Sequence, residues 1–159
     1  MMKVVIASEF AGFGLKTAVL QHLKEEGHEV VDVGQQSVDE KVLYPQAAAA
    51  LAAVIQKGEY AKGILICGSG AGVGIVANKF KGVYAVPCES IFTADGICMV
   101  NNANVITMGG NVVGSKNAFA MVDAFLNGAF AKNCDSARAD FLAGMLAMVK
   151  TIEDENFNK

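Results

Sequence analysis

The residues best suited to chemistry in this chain lie in one run, Cys67-Gly68-Ser69-Gly70-Ala71-Gly72-Val73-Gly74, where a thiol is followed by glycines alternating with small residues. The preceding Gly63-Ile64-Leu65-Ile66 is apolar throughout, as a central strand covered on both faces should be, and a helical pattern follows to about Lys79. A glycine turn between strand and helix leaves backbone N–H groups uncovered, and the helix aims its positive end at the same space. The run is therefore an anion cradle. Its occupant could be a nucleotide phosphate, a dinucleotide pyrophosphate or the negative oxygen of an enediolate formed during a reaction. A P-loop needs Gly-Lys-Ser/Thr at its end, and here the next lysine, Lys79, lies deep in the helix, which rules out ATP binding of that kind. A dinucleotide fingerprint forced onto Gly72-Val73-Gly74-Ile75-Val76-Ala77 falls after the third strand rather than the first, and its glycines come too late in the turn. Cys67 gives the enediolate its weight, because thiols beside helix N-termini favour the thiolate, a usable base near neutral pH. The competing reading makes Cys67 a small buried hydrophobe that ends a core strand.

These groups need a scaffold, and short β-branched runs alternating with longer helical patterns predict βαβ units and a parallel sheet. Strands are expected at Lys3 to Ala7, His28 to Val33, Gly63 to Cys67, Val83 to Val86 and Asn104 to Met108. Helices are expected from Gly12 to Glu26, from Pro45 to about Gln56, from Ser90 to Val100 and from Ser115 to Leu126. A last helix, Ser136 to about Glu153, carries Phe141, Leu142, Met145 and Val149 on one face, more than a five-stranded sheet needs for its own cover. Such an appended apolar helix is expected to pack on a second subunit. Ligands of open α/β sheets gather at the carboxyl ends of strands, here Ser8-Glu9-Phe10, Gly34, the glycine run, Pro87-Cys88-Glu89 and Gly109-Gly110.

With 159 residues the chain fits one domain, and 53% hydrophobic against 18% charged residues excludes intrinsic disorder. A net charge of −3 and a pI near 5.3 offer no basic face for nucleic acid. The longest uncharged stretch, Gly96 to Ser115, is broken by Asn101, Asn102, Asn104 and Asn111, so no membrane span is expected. The run Val4-Val5-Ile6-Ala7 is too short for a signal-peptide core, and a cytoplasmic protein is expected. Cys67, Cys88, Cys98 and Cys134 lie far apart and form no CxxC pair with a nearby His, so neither a metal site nor a disulfide framework is implied, and no cofactor. His22 and His28 read as structural or solvated, Met145 and Met148 as packing or dimer contacts, and Glu89 as a possible rim residue.

The run Gly63 to Gly72, continued by Ala77-Asn78-Lys79-Phe80-Lys81-Gly82-Val83, closely resembles the core motif of the type B ribose-5-phosphate and galactose-6-phosphate isomerase family. Ala11-Gly12-Phe13, Leu15-Lys16, Val31-Asp32-Val33-Gly34, Tyr44-Pro45, Asn101 to Val105 and Gly109 to Gly114 extend the likeness, in order, over almost the whole chain. The resemblance implies a doubly wound, Rossmann-like α/β/α sheet of five parallel strands and a homodimer with active sites at the subunit interface. It implies that Cys67 removes the proton alpha to the sugar carbonyl, that amides from Gly68 through Gly70 and Ala71 to Gly72 hold the enediolate oxygen, and that the Ser69 hydroxyl moves protons between oxygens. Asn101 falls where the family binds substrate from the other subunit. Glu9, at the tip of strand one, is placed to hydrogen-bond sugar hydroxyls, or else is a solvated carboxylate at a helix start. Tyr44 either contacts the sugar or covers the sheet edge.

Departures from the pattern carry information. The family has Asp-His where this chain has Glu9-Phe10; its ring-opening His aligns with Val100, and an Arg two residues earlier with Cys98. Of two C-terminal arginines that clasp the substrate phosphate, one matches Cys134 and the other Arg138. A base and anion hole without a ring opener suit a substrate that is already acyclic, such as a tetrose phosphate, or an unphosphorylated sugar. The expectation is an aldose–ketose isomerase working through a cis-enediol; the alternative is a non-catalytic sugar- or nucleotide-binding protein that keeps the anion cradle.

Overall fold

The structure, a computed structural model, describes residues 1–157. Its strands are β1 (Lys3–Ser8), β2 (Glu29–Asp32), β3 (Gly63–Cys67), β4 (Ala85–Pro87) and β5 (Val105–Gly109). Its helices are α1 (Phe13–Glu25), α2 (Tyr44–Gln56), α3 (Ala71–Ala77), α4 (Ile91–Asn101), α5 (Ser115–Asn127) and α6 (Ser136–Phe157). All strand pairs are parallel, in the order β2-β1-β3-β5-β4. The chain steps from β1 out to β2 on one side, then crosses to β3 and on to the edge strand β4 before β5 inserts between them, so the switch point lies between the carboxyl ends of β1 and β3.

Strand alternation divides the core into two layers. Val4, Ile6, Ile64, Ile66, Ile106 and Met108 pack against α1, α4 and α5 through Leu23, Ile97, Met121 and Phe125. Val5, Ala7, Leu65, Cys67 and Val105 point the other way, onto Ala48 and Leu51 of α2 and Val73 and Ala77 of α3. Both faces are covered, which is why the strands are apolar at successive positions.

Boundaries differ from the sequence expectations where side chains intervene. The helix after the glycine run stops at Ala77 because the Asn78 amide pairs with both backbone groups of Ala85, each at 2.8 Å. The fourth strand begins at Ala85 rather than Val83: the Val83 N–H closes a turn onto Phe80, and the Tyr84 N–H donates to Asn104 Oδ1 at 2.8 Å. The last helix reaches Phe157 rather than ending near Glu153, because its end is anchored. Glu153 accepts from the Gly82 N–H (2.7 Å) and the Tyr84 hydroxyl (3.0 Å), and Lys81 pairs with Asp154 at 2.7 Å. Of its apolar residues Leu142 is buried, whereas Phe141, Met148, Val149 and Ile152 are exposed. No helix among the described residues is long and apolar enough to cross a membrane.

Candidate active site

Glu9 leaves the end of β1 in extended conformation, and its Oε1 accepts the Gly12 N–H at 2.9 Å, capping the 3-10 turn Phe10–Gly12 that opens α1. The turn packs so closely on β3 that a Cβ on Gly12 would lie 2.5 Å from the Ile66 carbonyl oxygen. Glu9 is therefore not a solvated carboxylate at a helix start: it is 5% exposed, and its backbone donor offsets part of the cost of burying charge.

Cys67 ends β3 at 5% exposure, and its Sγ accepts the Gly70 N–H at 3.1 Å. Ser69 Oγ accepts the Ala71 N–H at 3.3 Å. Two of the loop's amides are thus turned toward its own side chains. Gly70 adopts φ +82°, and a Cβ there would sit 2.8 Å from the Met108 carbonyl carbon, so glycine is required both by conformation and by space. The far side of the loop is clamped by β5 and the residues after it. Thr107, fully buried, donates to the Gly70 carbonyl at 2.7 Å, the Gly110 N–H donates to the Cys67 carbonyl at 2.7 Å, and the Asn111 N–H to the Gly68 carbonyl at 3.0 Å. Tyr44, in the first turn of α2, lays its ring against Gly72, where a Cβ would come within 3.0 Å of it.

These elements border an open cavity of about 350 Å³ lined by Glu9, Ala11, Tyr44, Cys67, Gly68, Ser69 and Gly72. The fold thus brings together one carboxylate, one thiol, one aliphatic and one phenolic hydroxyl, and a glycine turn. Phe10 lies beside this cavity in the 3-10 turn and is 54% exposed. Asn101 and Arg138 lie elsewhere: they share an apolar groove of about 370 Å³ with Phe92 and Val100, and Arg138 also borders a hollow with Lys132 and Cys134. Within one chain neither lines the Cys67 cavity. Glu89 follows β4 at the surface and also stands apart from it.

Cys88, Cys98 and both histidines have structural surroundings of their own. Burial pushes the Cys88 thiol up to about 11, with nearby Cys98 adding to the effect. Burial also raises Cys98, opposed by Lys62, whose Nζ lies 3.4 Å from its sulfur. His22 stacks on Phe119, ring centroids 4.5 Å apart, and bonds Asp123 at 2.8 Å. His28 sits just before β2, at the amino edge of the sheet, opposite the cavity.

Two supports escaped the sequence reading. Thr107 is one; its signal was a polar residue inside an otherwise apolar strand. Lys16 is the other: at 2% exposure, it donates to the Asp32 carboxylate and the Gln35 carbonyl. Asp32 in turn accepts the Gly34 N–H at 3.0 Å, and the Gln35 N–H donates to the Ser8 carbonyl at 3.0 Å, so this pair ties the loop after β2 to the strand end that carries Glu9. Its signal was a lysine three and seven residues before Val19 and Leu23, on the stripe that α1 buries.

A fixed sulfur facing an amide-rich turn and hydroxyl partners can pass one proton between neighbouring carbons while the turn carries charge on oxygen. Fold and site define the class as an intramolecular oxidoreductase, an aldose–ketose isomerase. The Ribose/Galactose Isomerase family model matches residues 4–142, and the chain belongs to that family. It is 40% identical over 158 residues to the 4-deoxy-4-sulfo-D-erythrose isomerase of Clostridium sp. (strain MSTE9), covering 99% of each chain. It is 35% identical over 130 residues to the D-erythrulose-4-phosphate isomerase of Pectobacterium atrosepticum, covering 82% of this chain and 86% of the relative. Among solved structures, Clostridium thermocellum ribose-5-phosphate isomerase B superposes with a TM-score of 0.87 at 32% identity, covering 97% of this chain and 99% of that one.

Proposed function

We propose that this isomerase interconverts an acyclic four-carbon aldose and its ketose, carrying a terminal anionic group, at sites shared by two copies of the chain. The observation that carries this reading is the commitment of both histidines elsewhere, His22 to Phe119 and Asp123 and His28 to the opposite edge of the sheet, which leaves the cavity without an imidazole to open a ring. A tetrose whose terminal oxygen is esterified, or replaced by sulfur, cannot close to a furanose and needs no opener. The two relatives named above, acting on a 4-sulfo and a 4-phospho four-carbon sugar, support the same size.

In this reading Cys67, as thiolate, takes the proton from the carbon beside the carbonyl. The C–H electron pair becomes the enediolate double bond, and negative charge moves to the oxygen, toward the loop amides of Gly68 to Gly72. Ser69 passes a proton from one substrate oxygen to the other, and Cys67 returns its proton to the neighbouring carbon. Glu9 and Tyr44 hydrogen-bond the hydroxyls, and Phe10 covers the rim. Asn101 and Arg138 of the second copy complete the site, Arg138 meeting the terminal anion. The exposed Phe141, Met148, Val149 and Ile152 of α6 and the 90% exposed Phe92 of α4 are the surface that supports such a dimer.

The test is loss of the C2 hydrogen signal in deuterium oxide with four-carbon and five-carbon substrates, beside sedimentation at micromolar concentration. Exchange with a terminally anionic tetrose is expected, with ribose 5-phosphate at least about tenfold poorer, one pK unit's worth of lost transition-state stabilisation. Efficient turnover of ribose 5-phosphate, or a strictly monomeric active protein, would refute it.

A further inference from the structure

The surroundings of Arg138 bear on the charge of the terminal group. Arg138 borders a hollow of about 460 Å³ between α4 and the start of α6, together with Lys132, Cys134, Asp95 and Asp135. Two cations face two carboxylates, so the fixed charge of the hollow sums to zero. Lys132 spends one donor on the Asn127 carbonyl at 2.7 Å, and Asp135 caps α6 by accepting the Arg138 N–H at 2.8 Å. Neither cation forms an ion pair with either carboxylate among the described residues, so the Arg138 guanidinium stays available to an incoming anion. Attraction to fixed charges grows in proportion to an anion's charge, whereas the hydration it must shed grows roughly as the square, about fourfold for a dianion over a monoanion of equal size. A balanced hollow does not repay that difference, and a dianion would also meet Asp95 and Asp135.

We propose that this subsite selects a terminal group bearing a single negative charge, a sulfonate over a phosphate dianion, with Asp95 as the discriminating residue. The proposal rests on the reading of Arg138 as the anion ligand given above. Asp95 is the residue to vary because Asp135 also caps α6.

The experiment compares kcat/KM of the full chain for the 4-sulfo and 4-phospho four-carbon sugars at several pH values; the ratio cancels any pH effect of the protein that acts on both substrates alike. The sulfonate keeps one charge throughout, whereas the phosphate ester passes from monoanion to dianion around its second pKa of about 6. A sulfonate preference of at least about tenfold is expected at about pH 8, shrinking several-fold toward about pH 5.5 as the phosphate takes up its proton. Asp95→Asn should narrow the preference at about pH 8 by improving the phosphate, with unchanged thermal unfolding. A 4-phosphono analogue, shaped like the sulfonate but largely dianionic there, should follow the phosphate. Preference for the phosphate, a ratio that ignores pH, or a phosphono analogue that behaves like the sulfonate overturns the proposal while leaving the isomerase reading standing. Failure of both four-carbon sugars to react overturns that reading and the proposal with it.

Discussion

Cys67→Ser removes the sulfur yet keeps an atom that can accept the Gly70 N–H, which now meets Sγ at 3.1 Å. The side chain is 5% exposed among Ala7, Leu65 and Val73, so the new hydroxyl is buried but not orphaned, and the penalty stays toward the lower end of the roughly 1–3 kcal/mol that an unpaired polar group costs. The clamps on the loop, from Thr107 to the Gly70 carbonyl and from Gly110 to the Cys67 carbonyl, use other atoms and survive. A hydroxyl does not ionise near neutral pH, so the loss in turnover should be that of a positioned base, at least about 100-fold. That factor corresponds to about 2.7 kcal/mol on the barrier. The assay is deuterium exchange at C2 followed by proton NMR, with thermal unfolding by circular dichroism on the same samples. Turnover within about threefold of wild type, a difference below 1 kcal/mol, with an unchanged unfolding temperature would refute the assignment of the base. Glu9→Gln then decides the matter, because glutamine still offers an oxygen to the Gly12 N–H while losing the charge. Loss of exchange in that variant alone would make Glu9 the base.

Thr107→Val should cost about 1–2 kcal/mol by stranding the Gly70 carbonyl, and should lower kcat more than it raises KM as the loop loosens, measured by denaturant melts and steady-state kinetics. Gly70→Ala should destabilise by at least about 1–2 kcal/mol from its left-handed backbone alone, with the clash at Met108 added, and an unchanged midpoint would refute the backbone argument. Burial, and after it the hydrogen bond to Glu153, raises Tyr84 from 10.0 to about 12, so folding favours its neutral form. That contribution to anchoring α6 is whole below about pH 10 and is lost as pH climbs toward about 12; tyrosinate absorbance should show it, and Glu153→Gln should move the titration down. Cys88, pushed up to about 11 by burial, should resist alkylation near neutral pH until the chain unfolds, whereas half-buried Cys134 labels in the native protein; mass spectrometry of tryptic peptides reads both.

Much of the architecture was legible from neighbouring residues alone. The apolar run Gly63 to Cys67 reads as an interior strand and the glycines after it as a turn into a helix, because both are governed by hydrophobic period and by backbone freedom within a few residues. The five-stranded parallel sheet follows from that alternation. The nature of the cradle, small residues beside a thiol, was equally a matter of local chemistry. What a linear reading could not supply is who meets whom. Glu9, Tyr44 and Cys67 surround one cavity only because β1 pairs with β3 and α2 packs on the same face. Asn78 ends its helix early because the backbone of β4 comes within hydrogen-bonding reach. Thr107 reaches the Gly70 carbonyl across 37 residues, and Lys16 pairs with Asp32 across 16, satisfying buried polar groups that no short-range pattern announces. Asn101 and Arg138 stand on a separate groove for the same reason: their distance from Cys67 is set by where α4 and α6 pack, and packing is the sum of many distant contacts rather than a property of any one stretch of chain.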